Sequence, residues 1–107
     1  MNNSFENPED QKLATLAAAT LARTGAKQAA ALRDTTGRTY VAINISAPTL
    51  TLDAVQAVFT IAAASQNAGV EGVVIAGDKS AMTAVITDNS PQAVIFHIDA
   101  NGSVTRA

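Results

Sequence analysis

The chain has 107 residues, enough for one core and one domain. Apolar residues make up 48% of it and charged residues only 15%, against roughly 25% charged in ordinary globular proteins, which favours a subunit that hides surface in an oligomer. The lack of cysteine excludes a disulfide framework, thiolate metal ligands and a cysteine nucleophile, and a net charge of -2 provides no general attraction to phosphate backbones.

Residues 1–6 carry no periodic signal and are expected to be a flexible tail, ahead of a single domain over 7–107. Met1 to Lys12 is polar and carries Glu6, Glu9 and Asp10, the reverse of a secretory signal, so a cytoplasmic protein is expected. Asn7 offers an N-cap, Pro8 suits the first helical position, and Glu9 and Asp10 suit the positive end of a helix dipole. Leu13, Leu16, Ala17, Leu21 and Thr24 recur at steps of three and four, and Gly25 supplies a left-handed stop. A helix from Pro8 to Thr24 is therefore expected.

Gln28 to Arg33 and Thr39 to Ile45 flank Asp34-Thr35-Thr36-Gly37, a type I turn sequence, and read as an antiparallel hairpin. In its second strand Val41, Ile43 and Ile45 share a face expected to meet the core, with Asn44 on the other. After Pro48, Thr49 or Thr51 is expected to cap a second helix reaching about Ala68, with Gly69 as its stop. Asp53 and Glu71 are the only charges between Leu50 and Gly77, so that helix is expected to be buried on more than one side. Its most apolar part, Ala54 to Ala64, is far shorter than the roughly 20 residues of a membrane span.

Val73 to Ala76 reads as a central strand covered on both faces. Lys79 to Ile86 reads as a short helix capped by Asp78 or Ser80, although Val85, Ile86 and Thr87 equally suit a strand. Ala93 to Ile98 is a strand, and Asn101-Gly102 turns the chain into an edge strand from Ser103 to Arg106. This order of elements specifies an α/β fold, a mixed sheet with helices packed on it.

The run from Gly37 to Ile45, followed by Leu50-Thr51-Leu52, resembles the cytidine deaminase family, in which a hairpin strand ending in Asn precedes a Leu-Thr step into the zinc-bearing helix. The resemblance implies a cytidine deaminase-like three-layer sandwich with about five strands. It also aligns Asp53-Ala54-Val55 with the family's metal ligand, Ala and catalytic Glu, and Ser80 and Thr83 with its two cysteine ligands. Valine carries no proton to shuttle, and neutral hydroxyls are poor zinc ligands, so the resemblance identifies a short, degenerate bacterial member with no catalytic residues, no metal and no cofactor. Zinc would be the cofactor only if the chain were an active deaminase. Asn44 matches the residue that grips the nucleoside ribose in the family, while Ser46 replaces its Glu; these two are the ligand-binding candidates.

His97, the only histidine, shares a strand face with Ile95 and Asp99 and is read as a hydrogen-bonded or solvated strand residue. Asp53 is read as a helix-terminal carboxylate. Arg23, Lys27, Arg33 and Arg38 could gather into a basic patch for an RNA or protein partner, with dispersed solvated charges as the simpler reading. The expected function is a noncatalytic oligomeric scaffold or interaction module, a dimer or tetramer that binds neither membrane nor DNA. The alternatives are a zinc-dependent nucleoside deaminase with unorthodox ligands, and a nucleoside or RNA binding module.

Overall fold

A computed structural model describes residues 5–107. The elements run α1 (Pro8–Thr24), β1 (Gln28–Asp34), β2 (Thr39–Ile43), β3 (Ile45–Ala47), β4 (Leu50–Leu52), α2 (Ala54–Ala64), β5 (Val70–Gly77), α3 (Ala84–Thr87), β6 (Val94–Ile98) and β7 (Val104–Arg106). The main sheet has the strand order β2-β1-β5-β6-β7, with β5 and β6 parallel and the other pairs antiparallel. The expected mixed five-stranded sheet is thus present, with β3 and β4 added as a separate two-stranded hairpin.

α1 spans its expected range: the Asn7 side chain accepts from Glu9 N and Gly25 is left-handed at φ 69°. Its buried side is Asp10, Leu13, Ala14, Ala17 and Thr20, whereas Thr24, expected on the apolar face, is exposed. Phe5, placed in the tail by the sequence, packs its ring edge-on to Phe96 at 5.1 Å. The expected tail residues 1–4 lie outside the described residues.

β1 is buried along its whole length, because it is paired on both edges and covered on both faces. Ala30 and Leu32 join Val73, Ile75 and Ile95 under α2, while Ala31 joins Val74, Ala76 and Ile98 under α1. β2 ends at Ile43 rather than Ile45, and its faces divide between the two cores: Tyr40 and Ala42 pack on the α2 side and Val41 on the α1 side. Ile45 is exposed in β3, so the single core-facing aliphatic row expected through it does not form.

The second helix is shorter at both ends than the sequence predicts. Thr49 and Thr51 do not cap it, since Leu50–Leu52 pairs with Ile45–Ala47 and leaves Asp53 as N-cap in a complete capping box with Gln56. It ends at Ala64, where Gln66 adopts φ 59° and Asn67 N returns to Ala62 O. α3 is only Ala84–Thr87, and neither Asp78 nor Ser80 caps it. Gly77 ends β5 at φ 92°, where an added Cβ would stand 2.3 Å from the Lys27 carbonyl oxygen; only glycine fits there.

Candidate functional site

The residues singled out by the sequence lie around the N-terminus of α2 and the segment that follows β5. Asp53 is fixed by its capping box: Oδ1 accepts from Gln56 N at 2.8 Å, and Gln56 Oε1 accepts from Asp53 N at 3.0 Å. Its other oxygen, Oδ2, accepts a 2.5 Å hydrogen bond from the Ser80 hydroxyl, whose oxygen in turn accepts from Met82 N at 3.0 Å. A carboxylate at a helix N-terminus thus holds the β5–α3 connection against α2 through a charge-assisted contact.

Val55 is fully buried in the α2-side core with Val58, Ile75 and Ile86. Thr83 precedes α3 without capping it and lines a cavity of about 250 Å³ together with Ser80, His97 and Arg106. Asp53 lines a different, more open cleft of about 620 Å³, with Asn44 and Ser46. The fold therefore joins Asp53 to Ser80, leaves Thr83 in the neighbouring cavity, and puts Val55 in neither.

The cleft beside Asn44 is organised by Gln28, a residue that sequence reading passed over. Its Oε1 accepts from Ala54 N at 2.6 Å, its Nε2 donates to Asp78 O at 2.8 Å, and its own N–H donates to Asn44 Oδ1 at 3.1 Å. One buried amide thus satisfies the first free N–H of α2 and ties three segments together. The only available signal was an amide at the head of the apolar run Ala29 to Leu32. Asn44 is consequently engaged within the protein, and Ser46 is exposed in β3.

His97 is buried, and its Nε2 lies 2.7 Å from the Gly77 carbonyl oxygen, so this nitrogen carries the proton and donates. It is hydrogen-bonded, as read from the sequence. The four-residue basic patch does not form, because Arg33 is buried: its Nη1 donates to Asp10 at 2.9 Å and its Nε to Glu71 at 2.5 Å. Burial opposes the Arg33 charge, but the bonds and attraction from Glu71 and Asp10 outweigh it and hold the pKa above the usual guanidinium value. Gly72 makes room for this pair, since a Cβ there would lie 3.1 Å from both Arg33 Nη2 and Asp10 Oδ1.

Among the described residues no three His, Cys, Asp or Glu side chains are grouped to hold a metal ion. The donor set around Asp53 does not fit tetrahedral zinc: one carboxylate is already committed to Gln56 N and Ser80, and the other candidates are neutral hydroxyls. No helix of the described residues is long and apolar enough to cross a membrane.

A family model described as cytidine deaminase-like matches residues 6–102. Among solved structures, the crystal structure of cytidine deaminase from Mycobacterium leprae superposes with a TM-score of 0.67 at 15% sequence identity, covering 90% of this chain and 91% of that one. At this identity the likeness concerns the fold alone. No curated protein matches the sequence.

Proposed function

The chain belongs to the cytidine deaminase-like family, and from that membership we propose that it is a noncatalytic member acting as a self-assembling cytoplasmic scaffold. The observation that carries this reading is Val55, which stands where the family resemblance calls for the proton-shuttling Glu and is sealed in the core at 0% exposure. The direct bond between Asp53 and Ser80 supports it, because it closes the space between two positions that a shared metal would otherwise bridge.

Assembly is supported by the surface around α2. Among the described residues the exposed large apolar side chains are Ile45, Leu50, Ile61 and Met82. Ile61 belongs to α2 itself, Leu50 to β4 and Ile45 to its partner β3, and Met82 leads into α3; β4 and α3 both pack on α2. The helix has no charged residue, so two copies could face one another here without like-charge repulsion.

Two measurements test the two halves separately. With zinc supplied, cytidine, deoxycytidine and adenosine are expected to release no ammonia; turnover on any of them would end the noncatalytic reading. In sedimentation at micromolar concentration the protein is expected to be a dimer or tetramer, and Ile61→Arg to shift it to monomer. A monomeric parent protein would remove the scaffold reading.

A second reading, a nucleoside or RNA binding module, is favoured by the open cleft at Asn44 and Ser46, whose lining also includes Lys27 and Lys79 with Asp53 and Asp78. A nucleoside that binds there would raise the melting temperature, by the equivalent of about 2.7 kcal/mol at 100 times its dissociation constant. Salt-dependent RNA binding would be the other sign.

A further inference from the structure

α1 packs on β1, β5 and β2 and makes at most marginal contact with β6 and β7. The outer two strands therefore present Phe96, Ile98 and Val104 to a groove that runs beside α1. Three clefts of about 670, 380 and 440 Å³ follow one another along it. The first and second share Phe5 and Val104, and the second and third share Ala18 and Ile98, so the three adjoin in series beside α1. The α1 residues that line the clefts run from Asp10 to Ala22, about 18 Å of helix at 1.5 Å per residue.

Charge is distributed along the groove in a definite way. The middle section has no charged residue: Phe5, Ala14, Ala18, Ile98 and Val104 line it together with the neutral Gln11, Thr15 and Gly102. At the β5 and β6 C-terminal end stand Asp78 and Asp99, with no cation. At the α1 N-terminal end stand Glu6, Asp10 and Glu71 against Arg33 and Arg106. There Arg33 is neutralised by its own ion pairs with Asp10 and Glu71. The lining charges thus sum to -1 at this end, where Arg106 offsets Glu6, and to -2 at the other, and the section between them is uncharged.

We propose that this groove is a docking site for a basic amphipathic helix of a partner protein, with apolar side chains on the Ile98–Val104 floor and Lys or Arg beside Asp78 and Glu6. An apolar stripe at i, i+3/i+4 and i+7 fits such a floor, and cations at both ends of the helix complete the match. A second copy of the chain does not supply this occupant: α1 carries Glu9 and Asp10 against Lys12 and Arg23, and α2 has no charge. Nucleic acid is repelled by the acidic ends. The proposal rests on the interaction-module reading but uses the sheet face opposite to α2.

The test is titration of the isotope-labelled full chain with a synthetic peptide of about 18 residues, long enough to span the groove. It carries Leu at one helical stripe and Lys elsewhere; a second peptide has Glu in place of Lys. The Lys peptide is expected to shift amides of β6, β7 and α1, and the Glu peptide to leave them unmoved. Glu6→Lys/Asp78→Lys changes two exposed side chains that make no hydrogen bond among the described residues, and is expected to weaken binding about tenfold. No shift at about 1 mM Lys peptide, equal binding of the two peptides, or shifts confined to α2 would each overturn the proposal. Self-association is read independently by sedimentation, so loss of the scaffold reading and loss of this one remain distinct results.

Discussion

Asp53 and Ser80, separated by 27 positions in sequence, are joined by a 2.5 Å hydrogen bond between carboxylate and hydroxyl. This contact links the cap of α2 to the loop that leaves the central strand, and it uses a carboxylate that also satisfies the Gln56 N–H. Asp53→Ala removes both interactions and should cost about 2–3 kcal/mol, from a lost cap and a lost charge-assisted bond. Ser80→Ala should cost about 1.5 kcal/mol. In urea denaturation the double variant is expected to be more stable than the sum of the two singles, because both singles break the same bond; strict additivity would show that the contact contributes nothing.

Val55→Glu restores the residue type that the family resemblance calls for, yet the position is closed. A buried carboxylate shifts its pKa upward by about 3 units, or about 4 kcal/mol at neutral pH at 1.36 kcal/mol per unit. The variant should be severely destabilised and should not gain zinc binding. A stable, zinc-binding Val55→Glu protein would mean that the α2-side core opens at this point.

The ion pairs of Arg33 divide unequally, since Asp10 is buried with it and Glu71 is 55% exposed. Arg33→Met leaves Asp10 buried without a partner and should cost about 3–5 kcal/mol. Glu71→Gln should cost no more than about 1 kcal/mol. Thermal unfolding of the two variants checks the ratio.

Asp34 closes the β1–β2 turn. Burial raises its pKa, but hydrogen bonds from the Thr36 hydroxyl, Arg38 N, Thr36 N and Tyr40 more than compensate and hold it below the ordinary carboxylate value. A depressed folded pKa means that the stabilisation is complete above the unfolded value, near 4, and is lost as pH falls through the folded value. Wild type should therefore lose stability relative to Asp34→Asn on going from pH 5 to about pH 2. Parallel pH profiles of the two proteins would remove the carboxylate from that role.

The fold was legible where the signal is local. The caps of α1, the Asp34–Gly37 turn, the apolar run of β5 and the Asn101-Gly102 turn all act within a few residues; α1 has its expected bounds, while β5 extends beyond Val73 to Ala76 to span Val70–Gly77 and β7 starts at Val104 rather than Ser103. Errors arose where two local solutions compete. Thr49, Thr51 and Asp53 are all competent N-caps, and pairing of Leu50–Leu52 with Ile45–Ala47 selects Asp53. The candidate site was legible as a set of substitutions, but Gln28 was not, because its three bonds go to Ala54, Asp78 and Asn44, residues 26, 50 and 16 positions away.

The sequence by itself determined the order of the helices and of the five strands of the main sheet, and the chemical types standing at the family's motif positions, because periodicity, capping and side-chain chemistry are properties of short segments. Only the tertiary structure decided that Asp53 meets Ser80, that Val55 is sealed in the core, and that Arg33 is paired inside the protein rather than displayed in a basic patch. Those outcomes depend on which strands become neighbours and which sheet face a helix covers. Such choices are fixed by burying the whole apolar surface at once, and no single stretch of sequence encodes them.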